Sequence, residues 1–145
     1  MTGPLQFLPA LYLLGVVALL PAAASGDSFS SPEQIDGVIK VDADGLIELV
    51  TLTPELILID SRISADRKDG FIEGSLSLPD TDTSCVTLGE RITALDNPVL
   101  FYCNGIRCGR SARAAQIARD CGYTHVFWFR NGIEEWRKQQ YPLVN

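Results

Sequence analysis

The chain is poor in imidazole, in cationic charge and in repetition. Its only histidine is His125, which reads as a loop residue. No cysteine–histidine pair is evident, which argues against protease-type thiol catalysis. Lysine and arginine together number 12 against 18 aspartates and glutamates, for a formal charge of −6. That balance argues against a general nucleic-acid binder, which presents a basic surface. No internal repeat, low-complexity tract or second domain interrupts the 145 residues, so one domain is expected. Against this acidic background, the arginines between positions 107 and 113 are a local exception that needs a reason.

The N-terminal region has no lysine or arginine ahead of its apolar core, and residues 4–24 are nearly all apolar. The run ends in Pro21-Ala22-Ala23-Ala24, the small-residue site that a secretory signal peptide requires, with cleavage expected after Ala24. The alternative is a retained N-terminal membrane anchor, because some 20 apolar residues can span a bilayer. Either reading exports the remainder, to the periplasm or beyond the cell. Membrane contact is expected only if the segment is retained. No cysteine follows the cleavage site, which argues against a lipid anchor there. Residues 25–34 read as a disordered lead-in, and residues 35–145 as the domain.

Within that domain, apolar runs alternate with helical patterns. Strands are expected over 35–41, 56–60, 76–78, 99–102 and 126–129. Helices are expected over 45–50 (capped by Asp42), weakly over 88–95, then over 111–120 and 133–139, with a charged turn over 64–70. Such alternation implies βαβ units, an α/β fold with a mostly parallel sheet and helices on both faces. Ligands on such sheets bind at the carboxyl ends of strands. Cys103 falls there, and Asp60 is expected on the same edge.

The stretch from Val99 to Arg113 organises the rest. Val99-Leu100-Phe101-Tyr102 reads as a buried strand that stops at Cys103. Asn104-Gly105-Ile106-Arg107-Cys108-Gly109-Arg110 is turn-rich, and Ser111 is a plausible N-cap for the helix former that follows. The positive end of that helix, with Arg107 and Arg110, favours a thiolate on Cys103 or an anion beside it. Arg113 and Arg119 read instead as a solvated helix face. This is a site for a nucleophilic sulfur.

Four cysteines invite disulfides in an oxidising compartment. Cys121 reads as a small buried residue, and Cys85 is undetermined. For Cys103 and Cys108 three readings stand: a loop staple, a reversible redox pair, or, with Cys121 and His125, a small zinc site. The strand and helix that the α/β pattern already uses weigh against zinc, so no metal is expected.

Four segments in order resemble the rhodanese-like sulfurtransferases. They are Ile57-Leu58-Ile59-Asp60-Ser61-Arg62, Gly70-Phe71-Ile72-Glu73-Gly74-Ser75-Leu76-Ser77-Leu78-Pro79, Tyr102-Cys103 through Gly109-Arg110-Ser111-Ala112-Arg113-Ala114-Ala115, and Gly122-Tyr123 through Asn131-Gly132 to Trp136. Phe71 stands where that family usually has His, Asn131 replaces one glycine of its Gly-Gly turn, and the loop from Cys103 to Arg110 is two residues longer than the common one. The resemblance implies the three-layer rhodanese-like fold and transfer of sulfane sulfur through a Cys103 persulfide. It implies an anionic donor such as thiosulfate, a thiol or cyanide acceptor, no cofactor, and a monomer. Arg110 and Ser111 correspond to the closing Arg-Ser of the family loop, and Asp60 and Arg62 to its supporting Asp-x-Arg. Cys108 is additional, a resolving thiol or a disulfide partner. Three rival functions remain: a phosphatase or arsenate reductase, whose loop has five intervening residues where Cys103 and Arg110 have six; a thiol–disulfide redox or persulfide-relay protein; and a non-catalytic binding module.

Overall fold

The computed structural model of the chain describes residue 3 and residues 30–145. Residues 1–24, expected to be a signal peptide or a membrane anchor, and residues 25–29 of the lead-in lie outside the described residues apart from residue 3. Among the described residues no helix is long and apolar enough to cross a membrane.

Among the described residues five strands form one sheet: β1 (Ile39–Val41), β2 (Ile57–Asp60), β3 (Leu76–Ser77), β4 (Val99–Tyr102) and β5 (Val126–Phe129). Their order is β1-β5-β4-β2-β3, and every pairing is parallel. The helices are α1 (Ala43–Leu52), α2 (Ser64–Arg67), α3 (Cys85–Gly89), α4 (Arg110–Asp120) and α5 (Gly132–Lys138), with a 3₁₀ turn over Asp80–Asp82.

The central strand shows why both faces need helices. All four residues of β4 are buried, and their side chains alternate between two cores. Val99 and Phe101 join Leu88 of α3 and Ala114, Ala115 and Ala118 of α4. Leu100 and Tyr102 join Leu46 of α1 and Ile133 and Trp136 of α5. The small alanines let α4 sit close on the sheet.

Helix α1 starts where expected: the Gly45 amide donates to Asp42 Oδ1 at 2.8 Å. Two local expectations are corrected. The helix expected over 88–95 lies earlier, at Cys85–Gly89, because Ser84 and Thr87 form a reciprocal capping box at its start. Helix α4 begins at Arg110 rather than after Ser111, and Ser111 is buried instead of capping. Its Oγ accepts from the indole N–H of Trp128 at 3.0 Å, giving the fully buried tryptophan its one polar partner.

The lead-in also differs from expectation over its last residues. Ser31 is buried, and its amide and hydroxyl both donate to the Ile106 carbonyl, at 2.8 and 3.0 Å. Arg130 donates to the Pro32 carbonyl at 2.7 Å and pairs with Glu33. Ser31 is therefore packed against the loop that follows Cys103, and Pro32 and Glu33 are tied to Arg130 just after β5.

Candidate functional site

Cys103 follows the last residue of β4, and Asp60 ends β2 in register with Tyr102. Both therefore lie on the carboxyl edge of the sheet, as the strand pattern implies. Below the loop sits a buried polar cluster. The Arg62 guanidinium grips Asp60 through two hydrogen bonds, Nε to Oδ1 at 2.9 Å and Nη2 to Oδ2 at 2.8 Å. Arg67 Nη1 donates to Oδ2 at 2.9 Å, and the Tyr102 hydroxyl donates to the same oxygen at 3.0 Å. Ser75 Oγ, 2.8 Å from the tyrosine oxygen, and the Ile72 amide complete its shell.

Asp60 and Arg62 are 0% and 1% exposed. Burial alone would raise the Asp60 pKa, but the hydrogen bonds and charge of Arg62 outweigh it and hold the carboxyl below its ordinary range. Burial, followed by the charge of Asp60, pushes the Tyr102 hydroxyl up to about 12. Tyr102 thus stays neutral as a donor and ties β4, one residue before Cys103, to β2. Phe71, standing in the place of the family's histidine, lies 3.6 Å below the Arg67 guanidinium and pairs its backbone with Val144. It supports the same cluster by stacking.

The loop from Cys103 to Gly109 is held from several sides. The amides of Ile133 and Glu134, in the first turn of α5, donate to the carbonyls of Cys103 and Asn104 at 3.0 and 2.8 Å. Asn104 Nδ2 donates to Asp66 Oδ2 at 2.8 Å. A disulfide joins Cys103 to Cys108, with Cα atoms 6.2 Å apart. Gly105 and Gly109 are absent from the positive-φ glycines, so the loop closes without the left-handed conformations those two glycines allow.

Gly132 is the glycine the site does need. Its φ is +55°, and a Cβ there would overlap the Cys103 carbonyl. Gly132→Ala is expected to destabilise the fold by about 1–3 kcal/mol from the backbone conformation alone, read as a lowered midpoint in chemical denaturation. Its neighbour Asn131 has a helical φ of −75°, so the departure from a Gly-Gly pair costs nothing here.

A cleft of about 740 Å³ opens over this loop, lined among others by Asn104, Gly105, Cys108, Arg107, Arg110, Arg113, Asp80 and Glu134. Arg110 lies 3.9 Å from Asp66 and 3.6 Å from Asp80, and Arg113 lies 3.8 Å from Asp80. These are loose pairs. Among the described residues Arg107 makes no ion pair and no side-chain hydrogen bond. Arg113, which the sequence suggests is only a solvated face, lines the cleft as well. Cys103 itself has no exposed surface in the disulfide state, whereas Cys108 is half-buried and faces the cleft.

The chain belongs to the rhodanese-like family. The family described as rhodanese-like domain matches residues 42–139, well over half of the chain. A sulfurtransferase of Allochromatium vinosum is 29% identical over 108 residues, covering 74% of this chain and 95% of that protein. The crystal structure of the BH2092 protein from Bacillus halodurans superposes with a TM-score of 0.65 at 25% identity, covering 74% and 77% of the two chains. The thiosulfate sulfurtransferase of Pseudomonas aeruginosa shares the fold, with a TM-score of 0.62 at 20% identity over 74% of this chain and 20% of that one.

Within this rhodanese-like domain the structure brings together Cys103, Asn104, Gly105, Arg107, Cys108 and Arg110, with Asp60 and Arg62 beneath. Ile106 is exposed and instead carries the carbonyl that Ser31 grips. Cys121 is not a free buried residue: it is bonded to Cys85, tying the start of α3 to the end of α4. His125 lies just before β5 and contacts the Asp96 carbonyl, at the opposite edge of the parallel sheet from Cys103. The four-residue zinc grouping therefore does not assemble. Asp66, Asp80, Glu134, Ser75 and Ser31 are site residues that the sequence did not single out. Only tertiary contacts place Asp66, Asp80 and Ser31, while Ser75 and Glu134 lie inside two of the family-like segments without standing out there.

Proposed function

We propose that the reduced protein is a sulfurtransferase in which Cys103 carries the sulfur. The observation that carries this reading is a cysteine at the carboxyl end of the buried central strand, followed by a loop and helix that set three arginines around a cleft. The Cys103 thiolate attacks the outer sulfur of an anionic donor such as thiosulfate. The donor's S–S bond breaks, sulfite leaves with the bonding pair, and Cys103 becomes a persulfide. An acceptor thiolate, or cyanide, then attacks the outer persulfide sulfur and releases the Cys103 thiolate. Arg107, Arg110 and Arg113 supply the charge that draws in the anion, and no cofactor enters either step. The name of the Allochromatium vinosum relative supports the same chemistry.

Cys108 separates this chain from a simple persulfide enzyme. The disulfide state buries Cys103, so it is a resting state that must be opened before sulfur can load. Two disulfides among four cysteines also support export to an oxidising compartment, as the apolar N-terminal segment suggests.

The test is steady-state transfer to cyanide from thiosulfate and from a neutral persulfide donor, with the protein prereduced. Arg110→Ala is expected to lower kcat/KM for thiosulfate by about tenfold while changing the neutral donor much less, because a cation matters most where the substrate is charged. Equal losses with both donors would make Arg110 a structural residue that positions the loop.

A further inference from the structure

We propose that the Cys103–Cys108 disulfide is a thiol–disulfide exchange site, and that external anionic thiols enter it at Cys108. Exchange requires a thiolate to approach one sulfur in line with the S–S bond, so access decides which sulfur is attacked. The two cysteines are unequal in this respect. Cys103 is 0% exposed, follows a core strand, and has its backbone carbonyl tied to α5. Cys108 is half-buried and lines the cleft.

The direction of attack also fixes the leaving group. When a thiolate bonds to Cys108, the bonding pair departs on Cys103. That sulfur sits at the end of β4, where the Ile133 amide of α5 holds the Cys103 carbonyl in place. Attack in the opposite sense would need the incoming thiol to reach a sulfur that has no exposed surface.

The reaction balances without any further oxidant. A thiolate RS⁻ attacks Cys108, the S–S bond to Cys103 breaks, and the products are a mixed disulfide RS–S–Cys108 and the Cys103 thiolate. A second RS⁻ attacks the R-bearing sulfur of the mixed disulfide, giving RSSR and the Cys108 thiolate. The protein is reduced by two electrons and the two thiols are oxidised to one disulfide. The same opening sets free the nucleophile that sulfur transfer uses.

Charge names the partner class. Arg107 has no ion pair among the described residues, and the largely exposed Arg113 has only a 3.8 Å contact with Asp80. Both guanidinium groups are available to an incoming thiol that carries a carboxylate or sulfonate. A cationic thiol meets them as like charge.

The experiment uses the full chain, oxidised with diamide and exposed briefly to 2-mercaptoethanesulfonate. It is then quenched in acid, alkylated and digested with trypsin, which cuts after Arg107 and separates the two cysteines. The expected result is the sulfonate adduct on Cys108 and the alkyl group on Cys103, in a ratio above about ten to one. Adduct on Cys103, or an even division, overturns the assignment, as does failure of the oxidised chain to form this disulfide. Cysteamine, compared at equal thiolate concentration, is expected to open the bond about tenfold more slowly, and Arg107→Ala to shrink that gap severalfold. Equal rates for the two thiols in the wild type would remove the anionic partner. No arm uses a sulfur donor, so the outcome is independent of whether the protein transfers sulfur.

Discussion

Cys103→Ser is expected to reduce sulfur loading to below about one per cent of the wild-type level, because a serine hydroxyl at neutral pH is not a nucleophile toward sulfane sulfur without a paired base. The only imidazole, His125, is at the far edge of the sheet, so no such base is at hand. The control is Cys108→Ser, which loses the same loop disulfide but keeps the nucleophile. Closing so short a loop contributes about 2 kcal/mol in the chain-entropy account, and both variants forgo it equally. Beyond that shared loss, the serine at the buried position 103 is expected to cost up to about 1–3 kcal/mol more than the one at half-buried position 108, while the two variants differ completely in loading. The measurement is intact mass after incubation of each prereduced variant with thiosulfate. Loading of Cys103→Ser at the wild-type level would move the nucleophile to Cys108.

The second large effect is on stability. Asp60→Asn is expected to destabilise the domain by about 3–5 kcal/mol, because it leaves Arg62 charged and buried without its counter-ion. Arg67 loses the same partner. Against the roughly 5–15 kcal/mol by which domains of this size are stable, that is a large share. Chemical denaturation with both disulfides intact would read it.

The pH dependence follows from the same cluster. Asp60 has an ordinary value of 3.8 and a lower one when folded. Its contribution is thus complete above about pH 4 and is lost as pH falls through the folded value. Tyr102 is raised from 10.0 to about 12, so its contribution is complete below pH 10 and is lost between about pH 10 and 12. Wild type should weaken at both ends. Asp60→Asn should flatten the acid limb and move the alkaline limb down, since the charge of Asp60 helps to hold Tyr102 neutral. An acid limb that is unchanged in Asp60→Asn would show that other carboxylates set it.

Much of this architecture was legible in the residues. The central strand and β5 fall where their apolar runs stand, because a strand buried on both faces leaves an unbroken signature. Cys103 and Asp60 share an edge because parallel strands in register must end together. The cap of α1 was visible in Asp42, whose side chain needs only a neighbour three residues away. Failures came where a distant group competed with a local preference. Ser111 is a good N-cap residue, but the buried indole of Trp128 needed its oxygen more. Cys121 looked like a core residue because its partner, Cys85, is 36 residues away. The acidic side chains that temper the arginines come from separate elements, Asp66 from α2 and Asp80 from the 3₁₀ turn, and no spacing rule connects them with position 110. Ser31 looked like part of a loose tail, since nothing local reveals the carbonyl it holds 75 residues away.

The central claim is that Cys103 carries sulfur, and the most direct measurement is the location of that sulfur on the wild-type chain. The protein is reduced, freed of reductant, mixed with thiosulfate, desalted and measured by intact and peptide mass spectrometry without reducing agent. The account predicts a gain of about 32 Da, reversed by cyanide, that maps to the peptide ending at Arg107 and containing Cys103. Sulfur found on the Cys108 peptide while Cys103 stays unmodified, or no gain with either thiosulfate or a persulfide donor, would contradict it.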